Sequence, residues 1–274
     1  MTSPLEDFQE LAELAERIAH LAGAHVLSLI GGDNARLALR DTADRKTSAT
    51  DLVSTADHAS EAVIVAQLAI ARPRDGIVAE EGSTRPSTSG ISWVIDPIDG
   101  TTNFLYGHGS FGVSIAAVRD GETIAGVVYD PLRRETYRAA RGFGASCNGR
   151  KLTIGSPTPL AEVLLGTGFH YLASRRRRQA ELLVTILPEV RDIRRQGAAA
   201  LDLCYVASGR LDAYYEAALQ PWDRAAGLLV AQEAGYVGVD LDLGGELDGT
   251  LLVAHPDLLE QIRDLIVRAN ELHR

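Results

Sequence analysis

A layered fold of α-helices and β-sheets is the class this sequence predicts, and three observations carry that prediction. Residues 5–29 repeat apolar side chains at helical spacing, with Leu11, Leu14, Ile18, Leu21, Ala22, Val26 and Leu29 along one stripe. Residues 111–149 form short strand-like runs broken at Asp120-Gly121, Asp130-Pro131 and Asn148-Gly149, the punctuation of an antiparallel meander. From residue 163 onward, short strand runs alternate with helical patterns. The expectation is an α+β or layered α/β chain: a first lobe over residues 1–157 with an antiparallel sheet, closing near Pro157-Thr158-Pro159, and an alternating α/β second lobe over residues 158–274.

In chain order, the first helix should stop near Gly31-Gly32. Residues 33–50 mix charges without a period and read as a loop or short hairpin that contains Lys46. Ser54 or Thr55 can cap the next helix, which carries Asp57 and Glu61 in its early turns and ends at Arg72-Pro73-Arg74-Asp75-Gly76. Ile77, Val78 and Ala79 form a short strand that delivers Glu80-Glu81 at its end. Trp93, Val94 and Ile95 close a buried strand that delivers Asp96 and Asp99. A regular strand would send residues three apart to opposite faces, so Pro97 is expected to turn the chain and aim both carboxylates at one centre. Gly100 permits a close backbone approach, and Thr101, Thr102 and Asn103 read as a capping cluster for a short helix or turn whose free N–H groups can face an anion.

In the second half, residues 163–166 and 190–193 read as strands, with a helix from Arg175 to about Leu187 between them. Gly197 opens an alanine-rich helix, residues 211–215 make a strand ending at Glu216, and Pro221 starts a helix with Asp223 near its positive end. Strands near 236–239 and 251–254 and a packing helix over 257–269 complete the chain.

Composition limits the function. The 274 residues are 46% apolar and 23% charged, ordinary values for a globular protein, with a formal net charge of -10. So acidic a chain argues against broad nucleic-acid binding, and a phosphate site within it would need local cations. Cys147 and Cys204 have no metal-like spacing and make no disulfide framework. The acidic start lacks a secretion signal, and no uncharged apolar run reaches the ~20 residues a membrane span needs, so a cytoplasmic protein is expected.

Glu80, Asp96, Asp99 and Asp223 are the acids to place together. Alone, each reads as readily as a cap, a turn residue or a solvated acid; their shared place at the ends of elements is what suggests convergence. Carboxylates sharing one cleft repel one another unless a cation neutralises them. An all-oxygen set suits magnesium better than zinc, for which no His/Cys cluster is present. Two such ions could hold a phosphate ester and activate water. Glu216 could accept a substrate hydroxyl or form a surface salt bridge, and Lys46 could offset phosphate charge or simply be solvated.

The run D-P-I-D-G-T-T-N-F at residues 96–104 resembles the inositol monophosphatase family of lithium-sensitive, magnesium-dependent phosphatases. So do D-L-V-S-T-A-D at 51–57, A-E-E-G at 79–82, D-A-Y-Y-E at 212–216 and P-W-D-R-A-A-G at 221–227. The likeness covers nearly the whole chain. It implies an α-β-α-β-α sandwich, commonly a homodimer, with the site between two lobes. It also implies one metal site from Glu80, Asp96, the Ile98 carbonyl and Thr101, a second from Asp96, Asp99 and Asp223, and a weaker third ion at Glu80.

By the same resemblance Thr101, supported by Asp57, helps activate the attacking water, and the Gly100 and Thr101 amides receive phosphate oxygens. Lys46 falls at the family's flexible-loop lysine. Glu216 and Ala199 correspond to substrate-hydroxyl contacts, and Arg194 and Gly197 belong to the R-x-x-G block before the ligand-facing helix. The implied reaction is direct, in-line attack of water on a small phosphorylated polyol or sugar, inositol 1-phosphate first. Histidinol phosphate, fructose 1,6-bisphosphate and nucleotide 3′-phosphates are the alternatives, and a silent member acting as an RNA or transcription-complex partner is a reading of another class. Two departures stand out: Tyr106 and Gly109 replace the family's His and Pro, and the acidic pair is introduced by Ala79.

Overall fold

The computed structural model describes residues 4–30, 38–46 and 52–273; the expected Gly31-Gly32 stop, Asp51 and parts of the 33–50 segment lie outside them. Helix α1 (Pro4–Leu29) is followed by a two-stranded ribbon of β1 (Asp44–Arg45) and β2 (Leu52–Val53), so the hairpin reading holds around Lys46. Helix α2 (Thr55–Ala71) starts at Ser54, whose hydroxyl accepts from the Ala56 N–H while Asp57 reaches back to the Ser54 N–H, a reciprocal cap.

A large sheet comprises β3 (Gly76–Ala79), β4 (Thr84–Arg85), β5 (Ile91–Asp99), β6 (Gly112–Arg119), β7 (Glu122–Asp130), β8 (Glu135–Ala140), β9 (Gly144–Cys147) and β10 (Arg150–Leu152), in the order β10-β9-β8-β7-β6-β5-β3-β4. Its pairings are antiparallel except for β3 with β5, which run parallel. Helix α3 (Thr101–Tyr106) leaves the end of β5. A small sheet in the order β12-β11-β13-β15-β14 joins β11 (Leu164–Thr167), β12 (Asp192–Arg194), β13 (Ala213–Glu216), β14 (Val237–Leu241) and β15 (Thr250–Ala254). Between these strands run α4 (Ala173–Ile186), α5 (Ala199–Ala207) and α6 (Pro221–Ala234), and α7 (Pro256–Leu272) follows β15.

The pleat sorts the side chains into layers. Trp93, Ile95, Val113, Ile115 and Val127 point toward α1 and α2, with Ala15, Ile18, Ile64 and Leu68 facing them. Val94, Ala116 and Val128 on the opposite face meet α5 and α6, which in turn contact Tyr214, Leu251 and Val253 of the small sheet. The outer face of that sheet is covered by Leu182 and Ile186 of α4 and by Leu258, Ile262 and Ile266 of α7. The result is an α-β-α-β-α sandwich, the architecture expected above. Among the described residues no helix is long and apolar enough to cross a membrane.

Three local expectations are corrected. Pro97 does not end the strand: β5 continues to Asp99, and a bulge puts Asp96 opposite Ser114 but Asp99 opposite Gly112. The additional residue cancels the alternation that would have separated the two acids, and the Pro97 carbonyl it frees accepts from Ser60 Oγ at 3.0 Å. The cap of α3 is Gly100, in a left-handed conformation at φ 91°, while Thr101 is already helical and Asn103 bonds elsewhere. Strand β10 had no counterpart in the sequence reading, because R-K-L is too short and too charged to show alternation.

Helices α5 and α6 touch at Gly227, where a Cβ would stand 2.7 Å from the Ala200 carbonyl oxygen and 2.8 Å from Leu203 Cβ. Alanine ordinarily favours a helix over glycine by about 1 kcal/mol. Here the close approach reverses the sign: Gly227→Ala is expected to lower stability by roughly 1–3 kcal/mol, read as a lower urea midpoint, and a raised midpoint would contradict this packing.

Candidate active site

The parallel register of β3 and β5 opens the site. Ala79 pairs with Ile95, so Glu80 and Asp96 follow side by side, and the Glu80 N–H bonds the Ile95 carbonyl at 3.1 Å. The bulge adds Asp99, and α6 brings Asp223 from the other side. Glu80, Asp96, Asp99 and Asp223 line one cavity of about 430 Å³, together with Ile98, Gly100, Thr101, Lys46, Gly197, Ala199 and Glu216. A cavity of similar size, about 450 Å³, lies beside Arg150, Asp212 and His255. Its one carboxylate is already occupied by the Thr158 hydroxyl and the Leu164 N–H, which leaves the acid-lined cavity as the chemical centre.

Backbone N–H groups hold three of these acids. Asp99 accepts from the Ala199, Ala200 and Leu201 N–H groups at 3.1, 2.8 and 3.4 Å, so it caps α5 across the interface between sheets. Asp96 Oδ1 accepts from the Ile98 N–H at 3.0 Å. Asp223 accepts from the Gln220 N–H at 2.7 Å, which makes it a helix-terminal acid as well as a wall of the cavity. Behind them, Asp57 takes the Ser54 hydroxyl at 2.6 Å on one oxygen and the Thr101 hydroxyl at 2.8 Å on the other. The Ile98 carbonyl lies 3.1 Å from that same hydroxyl. Asp57 itself is fully buried and touches the cavity through Thr101.

Electrostatics are strained in one direction. Burial, then repulsion from Glu80, Asp99 and Asp223, pushes the Asp96 carboxyl well above the ordinary range. Burial lifts Asp99 to about 7 against the opposing pull of the α5 amides, and burial likewise raises Asp223. Glu81, behind Glu80, is raised by burial to about 7 although Lys46 bonds it.

Lys46 differs from its expected role. Its ammonium sits 2.8 Å from Glu80 Oε1 and 2.6 Å from Glu81 Oε1 rather than open to a phosphate. Burial alone would lower its pKa, but the two glutamates outweigh that and raise it.

Arg194 is the predicted contact that the structure leaves out. It pairs with Asp192 at 2.6 Å on β12, and the neighbouring Arg195 lines the cavity instead. Arg195 folds over Gly197, where a Cβ would meet its Nη1 at 2.1 Å. The R-R-Q-G run held both arginines, and the choice falls at the end of β12: Arg194 is its last residue and Arg195 lies just beyond it. Sequence reading also passed over Glu61, which accepts from the Glu81 and Ser83 N–H groups at 2.8 and 3.0 Å and steadies the acidic pair. Phe169, His170 and Trp222, further along the wall, were likewise not singled out as contacts.

Among the described residues, no three His, Cys, Asp or Glu side chains close a cage for an ion by themselves. The acids instead line an open wall, and their chemistry fits a hard divalent cation. The donors are all oxygen, and the repulsion that raises Asp96 is what a cation among them would relieve.

Comparison with known proteins agrees. The profile of the inositol monophosphatase family matches residues 7–271. The inositol-1-monophosphatase SuhB of Mycobacterium tuberculosis is 40% identical over 292 residues, covering 99% of this chain and 98% of that protein. The Nus factor SuhB of Pasteurella multocida is 41% identical, covering 80% of this chain and 84% of its own. The crystal structure of the extragenic suppressor protein suhB from Bartonella henselae superposes with a TM-score of 0.81 at 34% identity, over 94% of this chain and 97% of that one.

The raised acids have a measurable consequence. Folded Asp99 keeps its proton up to about 7, whereas an unfolded aspartate loses it near 3.9. Stability from the metal-free cluster is therefore present below pH ~4 and is lost as pH rises toward ~7. Protons and cation compete for the same oxygens, so magnesium is expected to raise the thermal midpoint strongly at pH 8, where a hundredfold excess over its Kd stabilises the fold by about 2.7 kcal/mol, and much less at pH 5. Equal shifts at both pH values would contradict this cluster.

Proposed function

This chain belongs to the inositol monophosphatase family, magnesium-dependent phosphatases, and from that premise we propose that it hydrolyses a small phosphate monoester, inositol 1-phosphate first among them. The observation that carries the proposal is the meeting of the large sheet's acids with Asp223 of α6 and Glu216 of the small sheet in one cavity beside the Gly100-Thr101 turn. Glu80, Asp96, the Ile98 carbonyl and Thr101 would hold one magnesium ion, and Asp96, Asp99 and Asp223 a second, with Glu80 open to a weaker third. When bound, magnesium supplies Lewis-acid polarisation of the phosphate and makes water more acidic.

The chain's own groups supply the rest. The Thr101 hydroxyl donates to Asp57, which leaves its oxygen free to accept a hydrogen bond from the attacking water and to take that proton as its own passes to the Asp57 carboxylate. Backbone N–H groups of Gly100 and Thr101 receive phosphate oxygens and fix the ester for in-line attack. Glu216 and Ala199, which line the same cavity, meet the hydroxyls of the leaving alcohol. Arg195 takes the place expected of Arg194 as the cation of that wall.

The Pasteurella multocida relative is named a Nus factor, and the second reading is a non-catalytic RNA or transcription-complex partner. It is the weaker one for this chain, because the acid set is complete and the net charge of -10 offers no broad basic surface.

Phosphate release with magnesium should be measured across inositol 1-phosphate, histidinol phosphate, fructose 1,6-bisphosphate and adenosine 3′,5′-bisphosphate. Turnover of at least one, highest for inositol 1-phosphate, is expected, with Asp99→Asn lowering kcat on the order of 10²–10³-fold as for loss of one transition-state stabiliser. No release from any of the four would favour the second reading.

A further inference from the structure

We propose that Gly168 and Tyr214 are specificity-positioning residues that hold the Glu216 carboxylate in one orientation, so that a hydroxyl of the leaving alcohol is read by a fixed acceptor. The inference rests on the reading that Glu216 meets the substrate's hydroxyls, and it concerns what makes that contact selective.

Glu216 ends β13, and Tyr214 lies two residues before it on the same face of the strand. Tyr214 is fully buried, and its hydroxyl donates to Glu216 Oε2. The parallel neighbour β11 supplies the other half. Its register pairs Gly166 with Tyr214 and Thr167 with Tyr215, which brings Gly168 beside Glu216.

A Cβ at 166 would lie 2.7 Å from Leu211 Cδ1 and 2.9 Å from the Tyr214 ring, and a Cβ at 168 would lie 1.9, 2.0 and 2.1 Å from Oε2, Cδ and Oε1 of Glu216. The carboxylate therefore occupies the volume a side chain at 168 would need. Gly168 forms the seat, and the Tyr214 hydroxyl fixes the rotation by engaging one oxygen. The other oxygen is left for the cavity that Glu216 lines. A hydroxyl donating to a carboxylate is among the stronger hydrogen bonds, so a buried tyrosine can hold the group against its own rotamer freedom.

The test compares inositol 1-phosphate, which carries hydroxyls beside the ester, with p-nitrophenyl phosphate, which carries none. Tyr214→Phe and Gly168→Ala are each expected to lower the ratio of kcat/KM for the first over the second about tenfold, carried by KM for inositol 1-phosphate. A merely structural defect would lower both substrates together through the amount of folded enzyme. Glu216→Gln separates the two layers of the argument. If Glu216→Gln shifts the ratio and Tyr214→Phe does not, the positioning role is overturned while the proposed function stands. If Glu216→Gln leaves the ratio unchanged, the substrate contact falls and the positioning role with it. Should Gly168→Ala fail to fold, the KM shift of Tyr214→Phe decides alone.

Discussion

The carboxylate of Asp99, seated on the first amides of α5, is the contact on which the rest of the structure depends. A buried carboxylate in a sheet edge would ordinarily be expelled or neutralised. Here three N–H groups and the positive end of a helix receive it. Because the acid belongs to the large sheet and the helix leads into the small one, a single charged contact sets how the two meet. Helix α5 then packs on α6 through Ala200 and Gly227, and α6 carries Asp223. The position of the fourth acid is thus inherited, through two helices, from the third.

A second constraint follows from the same geometry. Bringing Asp96, Asp99 and Asp223 together where burial and mutual repulsion all push their carboxyls upward leaves a site that favours either protons or a cation. The protein balances part of that charge itself through Lys46 on Glu80 and Glu81, while Glu61 holds the backbone of the loop that carries them. Structural and functional roles coincide: Asp57 caps α2 while aiming Thr101, and Asp223 caps α6 while lining the cavity. Reading either residue as a cap or as a functional acid would have described half of what it does.

Much of this was legible in the sequence, for identifiable reasons. The first helix, the meander hairpins and the ends of α2 and α6 are set by local rules of periodicity, turn residues and capping, and these appear in order along the chain. The acids could be nominated because each sits at the end of an element. What was not legible depends on pairing between strands. The bulge that carries β5 past Pro97 is specified by its partner β6. The sorting of Arg194 from Arg195 depends on where the chain leaves β12, whose last residue is Arg194. The seat that Gly168 makes for Glu216 exists only because β11 and β13 run parallel in that register. Lys46 was recognisable as a candidate, yet that its ammonium would lie on the acids rather than in open cavity depends on a ribbon whose strands are two residues long.

The central claim is that acids of the large sheet and of helix α6 form one cation site. Calorimetric titration of magnesium into the wild-type chain and into Asp223→Asn tests it most directly, because Asp223 comes from α6 while the other three acids follow strands of the large sheet. A loss of affinity of tenfold or more, with the folded state intact by circular dichroism, is the expected result. Unchanged affinity and stoichiometry would contradict it, since the cation would then be held by the large sheet alone.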